Sequence, residues 1–288
     1  MDKSVDEQKL KQYEEQWNRA GLEDNFVFFK VMQDKELCLG LLRRIFPNLN
    51  IVKIMDPDQE KVIASAKDSK SVRMDLLVRE INDSGEETRV FNLEMQVVSN
   101  SVLPKRSRYY QSMLDIDILE RGEDYNKLIP SYVVFICVTD MFTDNRVKYT
   151  FKNMCEENYQ ELGDEREIIF LNASGEFGEV SDELQNFLNY VRDKLTNDEF
   201  TRKLSESVNA VKLDSETKGE YIKMITERSF WKEEGREEGI KKGIKKGMEK
   251  AIIELVISGD LTPEKGASKL GISTEEMKEK VEKNLQTV

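Results

Sequence analysis

Asp75 in VRMDLLVRE (72–80), and Glu94 and Gln96 in RVFNLEMQVV (89–98), are the residues whose types and spacing suit chemistry in this 288-residue chain. In a strand, alternate side chains share a face, so Asn92, Glu94 and Gln96 lie together opposite Leu93, Met95 and Val97. By the same period Arg73, Asp75 and Leu77 share one face and Val72, Met74, Leu76 and Val78 the other. Directly opposed residues of an antiparallel pair have Cβ atoms roughly 4.5–5.5 Å apart, where like charges repel. Two carboxylates held that close must share a proton, pair with a cation or bind a metal. Mg²⁺, or Mn²⁺ in its place, suits an all-oxygen site completed by a substrate phosphate. A solvated strand face gives the same alternation, so the spacing alone leaves both readings open.

Placing Asp75 beside Glu94 requires a hairpin. Ser84-Gly85 supplies a two-residue turn, with glycine able to take φ > 0, and paired positions then sum to 169. That register sets Asp75 across from Glu94 and Arg73 across from Gln96. Around the hairpin, DNFVFFKVMQDKELCLGLLRRIF predicts one or two helices over 24–46, stopped by Pro47. NIVKIM (50–55) reads as a short strand. PKRSRYYQSMLDIDILERG (104–122) reads as a helix with proline at its start and glycine at its end. SYVVFICVTD (131–140) and REIIFLNA (166–173) read as buried strands, and 181–230 as helical. The order predicts an α/β core with a mixed sheet. Lys105, Arg106 and Arg108, beside Tyr109 and Tyr110, form the best local basic patch. On a helix Lys105, Arg108 and Tyr109 share a face suited to gripping phosphates.

Composition removes alternatives. There is no histidine, which excludes Ser-His-Asp triads, Cys-His nucleophiles and His-metal sites. Cys38, Cys137 and Cys155 lie far apart without metal spacing and read as buried small hydrophobes of a reducing compartment. No apolar run approaches the ~18 residues that cross a bilayer, and MDKSVDEQKLKQYEEQW lacks a signal-peptide core. A cytoplasmic protein without a membrane partner is expected. The net charge of −12 gives no global attraction to nucleic acid, so DNA binding would have to be local.

RMDLLV…FNLEMQ, preceded by DNFVFFKVM…KELCLGLLRRIF and followed by PKRSRYYQSMLD…LERGEDYNKLIPSYVVFICVTDMF, resembles the PD-(D/E)XK nuclease family transposases over roughly residues 20–250. The resemblance implies a restriction-endonuclease-like core, a mixed central sheet flanked by helices, here with a helical C-terminal extension. It implies that Asp75 and Glu94 are the metal-binding acids of a Mg²⁺-dependent DNA endonuclease related to recombination or transposition. Gln96 stands where the wider superfamily has lysine, and Asp24 matches a further family acid on the first helix, whose plain alternative is an N-cap. Gln96 can orient water but brings no positive charge; Arg73 and Lys105 are candidates to supply it, with Arg106 and Arg108 as further DNA contacts. Pro57-Asp58 mimics the superfamily's name but lies outside the hairpin. The missing lysine and acidic balance support an alternative: an inactive nuclease fold serving as an interaction or DNA-binding module.

Five segments are expected: a helical lead-in (1–20), the core (21–180), a helical extension (181–232), a glycine-repeat helix (233–257) and a small helix-turn-helix-like tail (258–288). Gly235, Gly239, Gly243 and Gly247 recur every fourth residue beside Ile240, Ile244, Met248 and Ile252, which suggests homodimerisation through this helix. In the tail, Thr262-Pro263 opens a helix, Gly271 ends it, and Ser273 with Glu276 forms a capping-box pattern. Its charges nearly cancel and it has no arginine, so a structural or protein-binding role is preferred over DNA reading.

Overall fold

Two aspartates open the first core helices in the computed structural model, which describes residues 3–59, 62–63, 72–97, 101–119 and 121–285. Asp24 caps α2 (Asn25–Met32) and Asp34 caps α3 (Lys35–Ile45), each side chain accepting two backbone N–H groups. The apolar stretch 24–46 is therefore two helices. Before them, α1 (Lys3–Arg19) is polar along most of its length but buries Trp17 against Phe26 and Tyr221.

The main sheet runs β1-β4-β5-β6-β8-β7, built from β1 (Asp58–Gln59), β4 (Leu76–Ile81), β5 (Glu87–Gln96), β6 (Ser131–Cys137), β7 (Lys148–Phe151) and β8 (Arg166–Asn172). β5, β6 and β8 are mutually parallel, and the remaining pairings are antiparallel. The mixed sheet follows from α4 (Leu103–Ile118), which carries the chain from β5 to its parallel neighbour β6. Segment 50–55 forms no strand of its own and meets β4 only through an Ile54–Glu80 bridge. Pro57-Asp58, set aside in the sequence, enters the sheet: Asp58 pairs with Leu77.

The hairpin has the expected register by an unexpected route. From Leu76↔Leu93 to Glu80↔Arg89 the paired positions do sum to 169. The turn, however, holds three residues, Asp83, Ser84 and Gly85, because Asn82 donates its N–H to Glu86 O and Ile81 pairs with Glu87. Gly85 sits at φ +84. An added turn residue would shift β5 by one place and turn its side chains over. Thr88 bulges out of the ladder between Glu87 and Arg89 and cancels that shift.

Strand 72–80 also breaks. β3 (Val72–Arg73) pairs with β2 (Val62–Ile63) in a separate ribbon, so Arg73 lies opposite Val62 and not Gln96. The side chain of Arg73 is outside the described residues.

Helices cover both faces of the sheet. On the face of Asn92 and Glu94, Leu77, Val90, Val133, Phe135 and Cys137 pack with Leu103, Tyr110, Met113 and Leu114 of α4. On the other, Phe46 at the end of α3 packs against Phe91 and Tyr132. Cys38 and Cys137 are buried, and burial pushes both thiols up to about 12. Cys155 departs from the expectation: it is exposed, near a Glu157 carboxylate.

α5 (Asp182–Asp193), α6 (Glu199–Leu213) and α7 (Ser215–Ile257) follow. The chain forms two compact units, residues 1–221 and 222–288. In the second, Ile252 and Ile253 of α7 pack with Ala267 of α8 (Pro263–Leu270) and Met277 of α9 (Thr274–Leu285). Among the described residues no helix is long and apolar enough to cross a membrane.

Candidate active site

Glu94 lies in the middle of β5's polar face and is wholly buried. A carboxylate in that position needs donors. Three converge on it: the Asp75 backbone N–H at 3.1 Å and the Asn92 amide at 3.3 Å reach Oε1, and Arg106 Nη2 reaches Oε2 at 2.6 Å. The amide of Asp75 is thus spent on the Glu94 side chain, at the point where β4 leaves its ladder. Burial first, and then the negative charge of Asp75, push the Glu94 carboxyl up to about 8 against the pull of Arg106.

The Asp75 carboxylate is half-exposed and accepts a 2.7 Å hydrogen bond from Asn25, the first residue of α2. Asp24 takes a different place. Its Oδ1 caps α2 through Phe26 and Val27, and its Oδ2 accepts from the Tyr221 hydroxyl at 3.2 Å. Among the described residues no three His, Cys, Asp or Glu side chains gather closely enough to hold a metal, so Asp24, Asp75 and Glu94 do not form the expected trio. Gln96 ends β5, half-buried and two residues beyond Glu94 on the same face.

Arg106 is engaged within the protein. Placed among the DNA-contacting residues by its sequence, it turns inward. Its Nε and Nη2 donate to the Tyr110 hydroxyl at 3.0 and 2.6 Å, and the guanidinium lies 5.1 Å from the Tyr110 ring centre. Arg106 of α4 thus places a positive charge against Glu94. Burial first, then the Glu94 charge, raise the Tyr110 phenol, which stays protonated. Lys105, Arg108 and Tyr109 lie exposed on the outer side of α4. Sequence reasoning missed Asn25 and Tyr110, and it named Asn92 only as a member of the strand's polar face and Arg106 only as a DNA contact. The i,i+4 spacing of Arg106 and Tyr110 after a helix-opening proline was the available signal.

The donor set suits a hard divalent ion. Two carboxylates stand together, and beside them the Oδ1 of fully buried Asn92 has no hydrogen-bond partner. A buried acceptor left unpaired costs about 1–3 kcal/mol, which a cation ligand would recover.

A family model described as PD-(D/E)XK nuclease family transposase matches residues 25–238. The chain belongs to this family. No curated protein and no solved structure matches it. Membership is consistent with the mixed sheet flanked by helices, and it supports a nuclease- or transposition-related role. The family's match also spans α4, where this chain carries Arg106.

Proposed function

We infer that the chain is a Mg²⁺-dependent DNA endonuclease, with Mn²⁺ able to substitute, that hydrolyses phosphodiester bonds in recombination or transposition. The observation that carries the reading is the Asp75–Glu94 pair, joined by the 3.1 Å hydrogen bond and lying beside an unsatisfied buried oxygen. Asp75 and Glu94 would hold the ion, with the unpaired Asn92 Oδ1 as a further oxygen donor. When bound, such an ion polarises the scissile phosphate and acidifies an attacking water. Asn25 holds the Asp75 carboxylate in place, and Asn92 holds Glu94. The Gln96 amide orients water at the mouth of the site. Lys105 and Arg108 grip the DNA backbone, leaving Tyr109 to pack or stack beside it.

The test is cleavage of plasmid DNA with and without Mg²⁺. Asp75→Asn and Glu94→Gln should each lower cleavage by about a hundredfold or more, since lost ion ligation is worth several kcal/mol, while both variants keep a cooperative melting transition. Folded wild-type protein that neither binds a divalent ion nor cuts DNA would favour the alternative, an inactive interaction module. The net charge of −12 motivates that second reading.

Two further assignments accompany the proposal. One is a cytoplasmic setting. The other is a homodimer through α7, where Trp231, Ile240, Ile244 and Met248 are exposed and the space over Gly235, Gly239, Gly243 and Gly247 is open. Sedimentation should show Ile240→Glu/Ile244→Glu as a monomer; an unchanged species for wild type and variant removes the assignment.

A further inference from the structure

The Arg106 guanidinium occupies Glu94 Oε2, an oxygen that the reading above assigns to a divalent ion. A guanidinium and a metal ion compete for the same lone pairs. We propose that Arg106 is an exchangeable counter-ion: it neutralises Glu94 in the metal-free protein, releases that carboxylate when the ion enters, and turns outward to meet the substrate phosphate. The proposal rests on the metal reading of Asp75 and Glu94.

Four observations support it. Glu94 is wholly buried, so its ionised form, the form that could ligate a metal, needs a cation beside it, because a buried charge stripped of its partner costs several kcal/mol. Arg106, by contrast, is about a third exposed, at 34% of its side chain, so it has a route to solvent that Glu94 lacks. Its pivot is built in: Tyr110, one helical turn along α4, accepts from both Nε and Nη2 and steadies the guanidinium apart from Glu94. The charges also fit. With Glu94 ionised, two carboxylates and one guanidinium leave the site one unit negative; a divalent ion makes it one unit positive; a phosphodiester then makes it neutral. A released guanidinium, planar and forked, matches phosphate geometry.

The experiment measures Mn²⁺ binding by calorimetry, without DNA, on wild type, Arg106→Met, Arg106→Lys and Glu94→Gln, with melting temperatures in EDTA and in saturating Mn²⁺. Arg106→Met should melt lower than wild type in EDTA, yet bind Mn²⁺ about tenfold more tightly and gain more in melting temperature from the ion. Arg106→Lys should stay near wild type in affinity, and Glu94→Gln should lose binding. Wild type and Glu94→Gln binding alike, or neither binding, would overturn the metal reading and this proposal with it. Loss of binding in Glu94→Gln alone, with Arg106→Met equal to or weaker than wild type, would overturn only the exchange. If Arg106→Met does not fold, Arg106→Gln, which keeps a donor without charge, replaces it under the same two criteria.

Discussion

Glu94 stores a pH dependence that its neighbours explain. Its carboxyl lies at about 8 in the folded chain against 4.5 for the ordinary group, so the folded state holds the proton more tightly than the unfolded one. The stability this contributes is fully present below about pH 4.5 and is lost as pH rises through about 8. Glu94→Gln cannot titrate, and the charge of Arg106 does not change over this range. In EDTA the stability of the variant relative to wild type should therefore rise between pH 5 and pH 8, by on the order of a few kcal/mol. A pH-independent difference in chemical denaturation would contradict it. That Asn92 and Glu94 share a face was legible from strand period, because alternation fixes which side chains lie together. Arg106 was not, since a helix-borne arginine looks the same in sequence whether it faces water or a buried acid; only the packing of α4 on β6 decides it.

At the level of elements, helices and buried strands followed from hydrophobic period and capping residues, with boundaries within a few positions. The misses were local. Segment 50–55 has strand composition but only a bridge to β4, and 72–80 breaks where the Asp75 amide is captured by a side chain. Backbone crowding, invisible to periodicity, yields a prediction at two glycines. A Cβ at Gly175 would lie 2.6 Å from the backbone of Arg146 and Val147, whereas at Gly85 it meets nothing within 4 Å and only the positive φ resists it. Gly175→Ala should cost about 1–3 kcal/mol or more, and Gly85→Ala about 1 kcal/mol. Thermal melts in which Gly85→Ala is the more damaging change would refute the ordering.

Across the whole molecule, charge is unevenly shared. Residues 222–288 hold fourteen Lys and Arg against thirteen Asp and Glu, a net of +1, so residues 1–221, the unit that contains the candidate site, carry −13. The DNA engagement proposed for this unit relies on local groups, the exposed Lys105 and Arg108. Lys105→Glu/Arg108→Glu should weaken DNA binding most at low salt and flatten the dependence of log K on log salt by about two, without moving the melting temperature by more than a degree or so. Fluorescence anisotropy across a salt series reads both; an unchanged slope means the patch does not touch phosphate. The acidity of the chain was visible from composition, but where it sits relative to the site was not.

The three-residue turn and the Thr88 bulge work as a matched pair. A lineage that trims the turn by one residue can keep its carboxylates facing inward only by straightening β5 in the same step. Parity, more than length, is what inheritance must preserve in this hairpin, and homologous chains should show either both irregularities or neither.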